Sequence, residues 1–486
     1  MKSSYRVRFA NTKTAPCESP NSPSGPKWDI ESSSTGARYQ RSRFGCKACK
    51  ARRVKCDETF PACLRCQRQK LVCLSTQRPV QWQEEIPWML PNTKRISLAP
   101  GPANTNTLLL PYWLKVCSQM MCLDPSNNPL SFPLLAQLSV CSSLVHAVQS
   151  VSAGHKHFFS PNNLEYVLQE RGRAMKMLGK ELHNTQTPPI SSIFTVFLLG
   201  ISATWADNKP VNYGKEHFAA AKSLLRSLLN DKKTRQDPLA KYLVGWYLYW
   251  DMSCSFIADP DPVPLSLDED SDILEVLLEA GESYFHPMIG FNAELYYLIA
   301  FVGRYCRRAL AGEDRDFSLE NYLEDRLFSW APIDEDMALF KLGIAYRNHG
   351  LILLAKICPA KDRTDGWLSE GSLDTVDNLE GSLIQAYVRE SLQALLEMPT
   401  QQGYFNFQSI PLLTVGAELS EGDVEGDVDL RDEVVRRFKA LYSCNHIIVN
   451  LWAIDILEEI WALRDAGVET SWVALLLQKG WRLTFA

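Results

Sequence analysis

Residues 45–73 read GCKACKARRVKCDETFPACLRCQRQKLVC. Six cysteines fall in this window, spaced Cys46-x2-Cys49-x6-Cys56-x6-Cys63-x2-Cys66-x6-Cys73. Cys46 to Cys56 and Cys63 to Cys73 have the same form, C-x2-C-x6-C, so the stretch is an internal repeat offset by seventeen residues. Zinc takes four tetrahedral ligands, and a Cys-x2-Cys turn brings two sulfurs to one ion. Two ions need eight ligand contacts. Six thiolates supply them when two sulfurs bridge, and the repeat makes Cys46 and Cys63, the first of each half, the natural bridges. One ion then takes Cys46, Cys49, Cys56 and Cys63; the other takes Cys46, Cys63, Cys66 and Cys73. A single ion would leave two thiols idle and the repeat unexplained. A RING-type site needs eight ligands, and no suitable residue follows.

Charge is concentrated in the same place. Residues 38–73 hold eleven cations against Asp57 and Glu58, a balance of +9, while the whole chain is −5. The other 450 residues therefore sum to −14. A basic module on an acidic body points to nucleic acid as a partner. Between its outer cysteines the first half carries Lys47, Lys50, Arg52, Arg53 and Lys55, and the second carries Arg65, Arg68 and Lys70. The first half is the stronger candidate for the major groove. On a short helix Lys47, Lys50 and Arg53 recur every three residues and share a face. An Arg there can pair bidentately with guanine, while neighbouring cations hold phosphates. Arg38, Arg41 and Arg43, just upstream, suit phosphate contacts or nuclear import.

The rest of the chain divides by composition. Residues 1–37 are rich in Ser, Pro, Thr and Asn and read as a disordered tail. The cysteine module occupies 38–76. Pro79, Pro87, Pro91, Pro100 and Pro102 mark 77–106 as an extended linker with no sustained heptad. From 107 to 486 the pattern is helical, so the fold class is mostly α: a small zinc module, a proline-rich linker and a large all-α body. Helical runs are expected at about 132–153, 190–205, 213–229, 238–257, 288–311, 335–357, 376–397 and 431–465. Leu164, Val167, Leu168, Met175, Leu178 and Leu182 share one helix arc, interrupted by Arg171. The stretch Ile190 to Trp205 is too short and too rich in Ser and Thr to span a bilayer, and reads as a buried helix. No apolar signal-peptide core opens the chain, so the expected compartment keeps thiols reduced. The eight scattered cysteines then read as small buried residues.

Gly45 to Asp57, with Pro61 two residues before Cys63, resembles the fungal binuclear zinc cluster family of transcription factors. The resemblance implies two Zn2+ ions with Cys46 and Cys63 bridging, in agreement with the ligand count. It implies sequence-specific binding of double-stranded DNA at CGG-like half-sites, with the base-reading cation at Arg53 and Arg52 beside it. It also implies a nuclear regulator of RNA polymerase II genes that engages the transcription machinery. The body resembles the helical regulatory region behind such clusters, in Phe132-Pro133-Leu134-Leu135 and in Glu458 to Gly467. The family often dimerises through a coiled coil after the cluster. Here the prolines of 77–106 argue against one, leaving a homodimer through the body and a monomer both open.

No catalytic constellation stands out, and the chain is not expected to be an enzyme. The alternative is a catalytic helical body that the zinc module targets. His155 and His157 flank Lys156 as helix-end residues. Trp246, Tyr247, Tyr249 and Trp250 suit a buried core better than a ligand cage. The acidic stretches 259–275 and 418–433 read as solvated loops, with contact to transcription machinery as the sharper alternative.

Overall fold

The computed structural model of the chain describes residues 45–57, 62–73, 109–157, 164–183, 188–203, 210–260, 265–266, 268, 270–281, 284–331, 337–364, 370–400, 403–425 and 428–485. Arg38, Arg41, Arg43 and Pro61, the tail 1–37 and the linker 77–106 lie outside the described residues.

Two short helices, α1 (Lys47–Ala51) and α2 (Leu64–Arg68), belong to the cysteine module. The body is built from α3 (Ser142–His157), α4 (Leu164–His183), α5 (Ile190–Ile201), α6 (Lys215–Leu229), α7 (Pro238–Ser255), α8 (Ser271–Leu278) and α9 (Ala293–Leu310). It continues with α10 (Phe317–Ser329), α11 (Met337–Ile357), α12 (Glu370–Glu397), α13 (Ser409–Ala417), α14 (Leu430–Asn445), α15 (Val449–Asp465) and α16 (Trp472–Lys479). A two-residue hairpin, Val424–Glu425 against Val428–Asp429, precedes α14.

The core is organised around α5 and α7. Ser191 to Ile201 are all buried, as the apolar run at 190–205 predicts. Trp246, Tyr247, Tyr249 and Trp250 are buried core residues on α7. Trp246 packs on Phe197 with ring centroids 5.1 Å apart, and Tyr249 meets Tyr296 and Phe407. The described cysteines outside the module are buried, the small core residues expected.

Four expectations are corrected. The run at 132–153 is two helices, Phe132–Gln137 and α3. The Glu181 carboxylate accepts from the Ser143 amide at 3.1 Å and so starts a new helix there. The run at 431–465 is also two helices, broken at His446, which adopts a left-handed conformation with φ 56°. On α4 the buried face is Val167, Glu170, Ala174 and Leu178, and Leu164, Leu168 and Met175 are exposed. The apolar arc is therefore split: Val167, Leu178 and the half-buried Leu182 pack on the core, and its other three members face outward. Glu170 belongs inside because His146 Nδ1, Gln149 and Arg173 surround its carboxylate. Arg171 leaves the arc to donate to the Leu199 carbonyl at the end of α5. Lastly, the acidic stretches are not simply solvated loops. Asp270 is buried against Lys222, Arg226 and the Tyr247 hydroxyl, and Glu418 is buried against Arg464.

Candidate metal centre and nucleic-acid interface

The repeat in the sequence is a repeat in the backbone. The Cys46 sulfur accepts from the Cys49 amide at 3.4 Å and caps α1, and the Cys63 sulfur accepts from the Cys66 amide at 3.4 Å and caps α2. The Cys46 amide donates to the Cys56 sulfur at 3.4 Å, and the Cys63 amide to the Cys73 sulfur at 3.2 Å. After each helix one residue turns left-handed, Arg53 with φ 55° and Lys70 with φ 50°. The Val54 and Leu71 amides then return to the carbonyls of Cys49 and Cys66. Each half is thus a sulfur-capped turn of helix closed by a left-handed corner. Asp57 ties them together, its carboxylate accepting from the Leu64 amide at 2.9 Å and the Arg65 amide at 3.3 Å.

The sulfurs converge. The sulfurs of Cys46, Cys49, Cys63 and Cys66 lie within 4.8 Å of one another. Cys46 to Cys63 is 3.8 Å, Cys49 to Cys63 is 3.7 Å and Cys46 to Cys66 is 3.6 Å. Two sulfurs on one tetrahedral zinc sit about 3.8 Å apart when each bond is about 2.3 Å. Each measured pair shares an ion in the two-bridge scheme. Among the described residues little else competes for the interior: beside the six cysteines Gly45 and Ala62 are buried, with Ala48 and Val54 packed against them. Burial pushes the Cys49, Cys66 and Cys73 thiols well up, and neighbouring sulfurs add to the shift. Sulfurs packed this closely ionise together when divalent cations lie among them.

The candidate DNA-contacting residues divide between helix and corner. Lys47 is half-buried, and Lys50, Arg52, Arg53 and Lys55 are exposed. The expectation that Arg53 ends a short helix is corrected. Helix α1 stops at Ala51, Arg52 is its C-cap, and Arg53 occupies the left-handed corner beyond. Arg52 is held by Gln69 across the module. Arg65 and Arg68 of the second half line one open groove with Lys55 and Asp57, a cationic face that counting charges per half had understated. The corner itself was missed in the sequence because neither Arg53 nor Lys70 is a glycine or asparagine, the usual signals for positive φ.

In the body, His155 lies in the last turn of α3, as expected. It is buried, with Nδ1 on the Tyr112 hydroxyl at 2.7 Å and Nε2 on the Asn445 carbonyl at 2.6 Å. The side chain of His157 is outside the described set. Among the described residues, no helix is long and apolar enough to cross a membrane.

A sulfur cluster spaced for two bridged zinc ions, exposed cations around it and a large helical body are the architecture of a zinc-cluster DNA-binding transcription factor. Residues 44–83 match the fungal Zn(2)-Cys(6) binuclear cluster domain, and residues 108–486 match the fungal specific transcription factor domain. The chain belongs to that family of fungal transcription factors, and its cofactor is Zn2+, two ions in the binuclear cluster. Among curated relatives, it is 47% identical over 60 residues to sterol uptake control protein 2 of Candida albicans, covering 12% of this chain and 8% of that protein. It is 39% identical over 77 residues to the arabinolytic transcriptional activator araR of Emericella nidulans, covering 15% and 9%. White-opaque regulator 2 of Candida albicans is 50% identical over 38 residues, 8% of each chain. The matches thus span less than a tenth of each of these relatives. No solved structure matches the chain.

Proposed function

We propose that the protein is a nuclear, zinc-dependent regulator of RNA polymerase II transcription that reads CGG-like half-sites in double-stranded DNA. Cys46 and Cys63 bridge the two ions, Cys49 and Cys56 complete the first, and Cys66 and Cys73 complete the second. Arg53 reads a base. Lys47, Lys50, Arg52 and Lys55 position the module on phosphates, with Arg41 and Arg43 upstream extending that grip. The body carries the regulatory role and the contacts to the transcription machinery. With no heptad in 77–106, a homodimer on DNA would form through the body.

The observation that carries this is the pair of hydrogen-bonded half-modules whose sulfurs approach at the spacing of shared tetrahedral zinc. Binding titrations of the zinc-loaded chain on a CGG duplex and a scrambled duplex, at several salt concentrations, test it. Arg53→Ala should lower affinity for the CGG duplex and flatten the preference, losing about 1–3 kcal/mol of discrimination. Arg41→Ala should weaken both duplexes alike and reduce the salt slope by about one. Equal loss on both duplexes for Arg53→Ala would pass the reading role to Arg52.

A further inference from the structure

The two left-handed corners are equivalent in the repeat, seventeen residues apart, yet they have different surroundings. Arg53 is exposed. Lys70 lies against α14: its ammonium pairs with Asp432, and its backbone carbonyl accepts from Lys439 Nζ at 2.7 Å. Beside these contacts a groove is lined jointly by Gln67 and Leu71 of the cluster and by Glu433, Arg436 and Ala440 of α14. We propose that α14 is the docking surface for the second half of the zinc cluster, and that DNA is read with the cluster seated there.

The chemistry favours this division. The Lys70 ammonium meets a carboxylate of α14, Asp432, although that helix as a whole carries Arg431, Arg436, Arg437 and Lys439 against Asp432 and Glu433. The carbonyl of Lys70 is available to a lysine because the left-handed corner ends α2 without continuing the helix. With the body in place, Lys50, Arg52, Arg53 and Lys55 of the first half keep their exposure. The body thus touches the second half at Lys70 and leaves the first half's cations open to a duplex, while Arg65 and Arg68 of the second half are exposed as well. An exposed ion pair contributes little alone. The covalent tether between cluster and body raises the local concentration of each for the other, which makes so small a contact count.

The DNA arm rests on the function proposed above; the docking arm does not. A short amine-to-amine cross-linker should join Lys70 to Lys439 in the zinc-loaded full chain without DNA, read by mass spectrometry of the digest. Asp432→Asn should lower that yield by about two- to fivefold, the range an exposed pair supports, with no change in the melting of the body. Links within the body but none between Lys70 and Lys439 would overturn the docking surface. With a saturating CGG duplex, occupancy being checked by anisotropy, the link should persist. Its loss in the bound state would overturn reading from the seated position. Failure of the duplex to bind at all, with the free-chain link intact, would overturn the DNA function and leave the docking surface supported.

Discussion

At the scale of single residues, His286 shows how the core of the body fixes a protonation state. Its ring stacks on Tyr242, and its Nδ1 accepts from the Met288 amide at 3.0 Å and the Ile289 amide at 3.2 Å. Nε2 therefore carries the proton, donating toward the carbonyls of Lys241 and Tyr242 at 3.2 and 3.3 Å. Gly245 leaves the space, since a Cβ there would stand 2.2 Å from Nε2. A second proton on this ring would have to displace two backbone amides from Nδ1. Burial holds His286 at about 4 and His349 at about 3, below the ordinary value of 6.5. In the unfolded chain both protonate near 6.5, so the unfolded state binds more protons below that pH. Stability is then full above 6.5 and is lost as pH falls toward 4. The expected slope is about 1.4 kcal/mol per pH unit for each histidine. Denaturant unfolding followed by the fluorescence of buried Trp246 and Trp250 measures it. A flat profile between pH 6.5 and 4 would mean that these rings take up protons without disturbing the core.

At the scale of elements, Arg437 on α14 joins three pieces of the body. Its guanidinium donates to the carbonyls of Leu395 and Met398, both at 2.7 Å, at the end of α12, and to Gln408 Oε1 at 3.0 Å. It also lies over the Phe405 ring, 4.7 Å from the centroid. Burial lowers it to about 10, which still leaves it charged at neutral pH. Arg437→Ala would strand two buried carbonyls and open a void, a loss of about 3 kcal/mol. Arg437→Lys should recover only part, because an ammonium cannot reproduce the planar fork. An unchanged urea midpoint in Arg437→Ala would contradict this bracing role. Buried runs such as α5 and α7 were found because their apolar residues are continuous. On α4 the apolar arc supplies Val167 and Leu178 to the buried face, but Glu170 with its three partners and Ala174 complete it; periodicity alone does not count a satisfied charge as core. α8, α13 and α16 fall between the expected runs, being 8, 9 and 8 residues long, too short for periodicity to stand out, and the 13-residue α10 buries only Leu323, Leu327 and the charged Glu320. The cysteine spacing announced the cluster outright, but the left-handed corners that place Arg53 and Lys70 carry no residue signal.

At the scale of the whole molecule, the metal substitutes for a core in the DNA-binding module. Cysteine sulfurs are nearly all that is buried there, and α1 and α2 have five residues each. Helices this short are not stable alone in water. Chelation should therefore unfold the module and abolish DNA binding, while the helical signal, dominated by the body, changes little. Elemental analysis of the intact chain should give two zinc ions. Cys63→Ala should lose both because it removes a bridge, whereas Cys73→Ala should retain the first. One ion per wild-type chain would contradict the bridged arrangement. Selection of bound duplexes from a random pool by the zinc-loaded full chain, sequenced with and without a chelator, tests zinc-dependent reading of DNA. Enrichment of a CGG-containing motif that disappears when zinc is removed is the expected result. Recovery of no motif, or of the same motif after chelation, would contradict it.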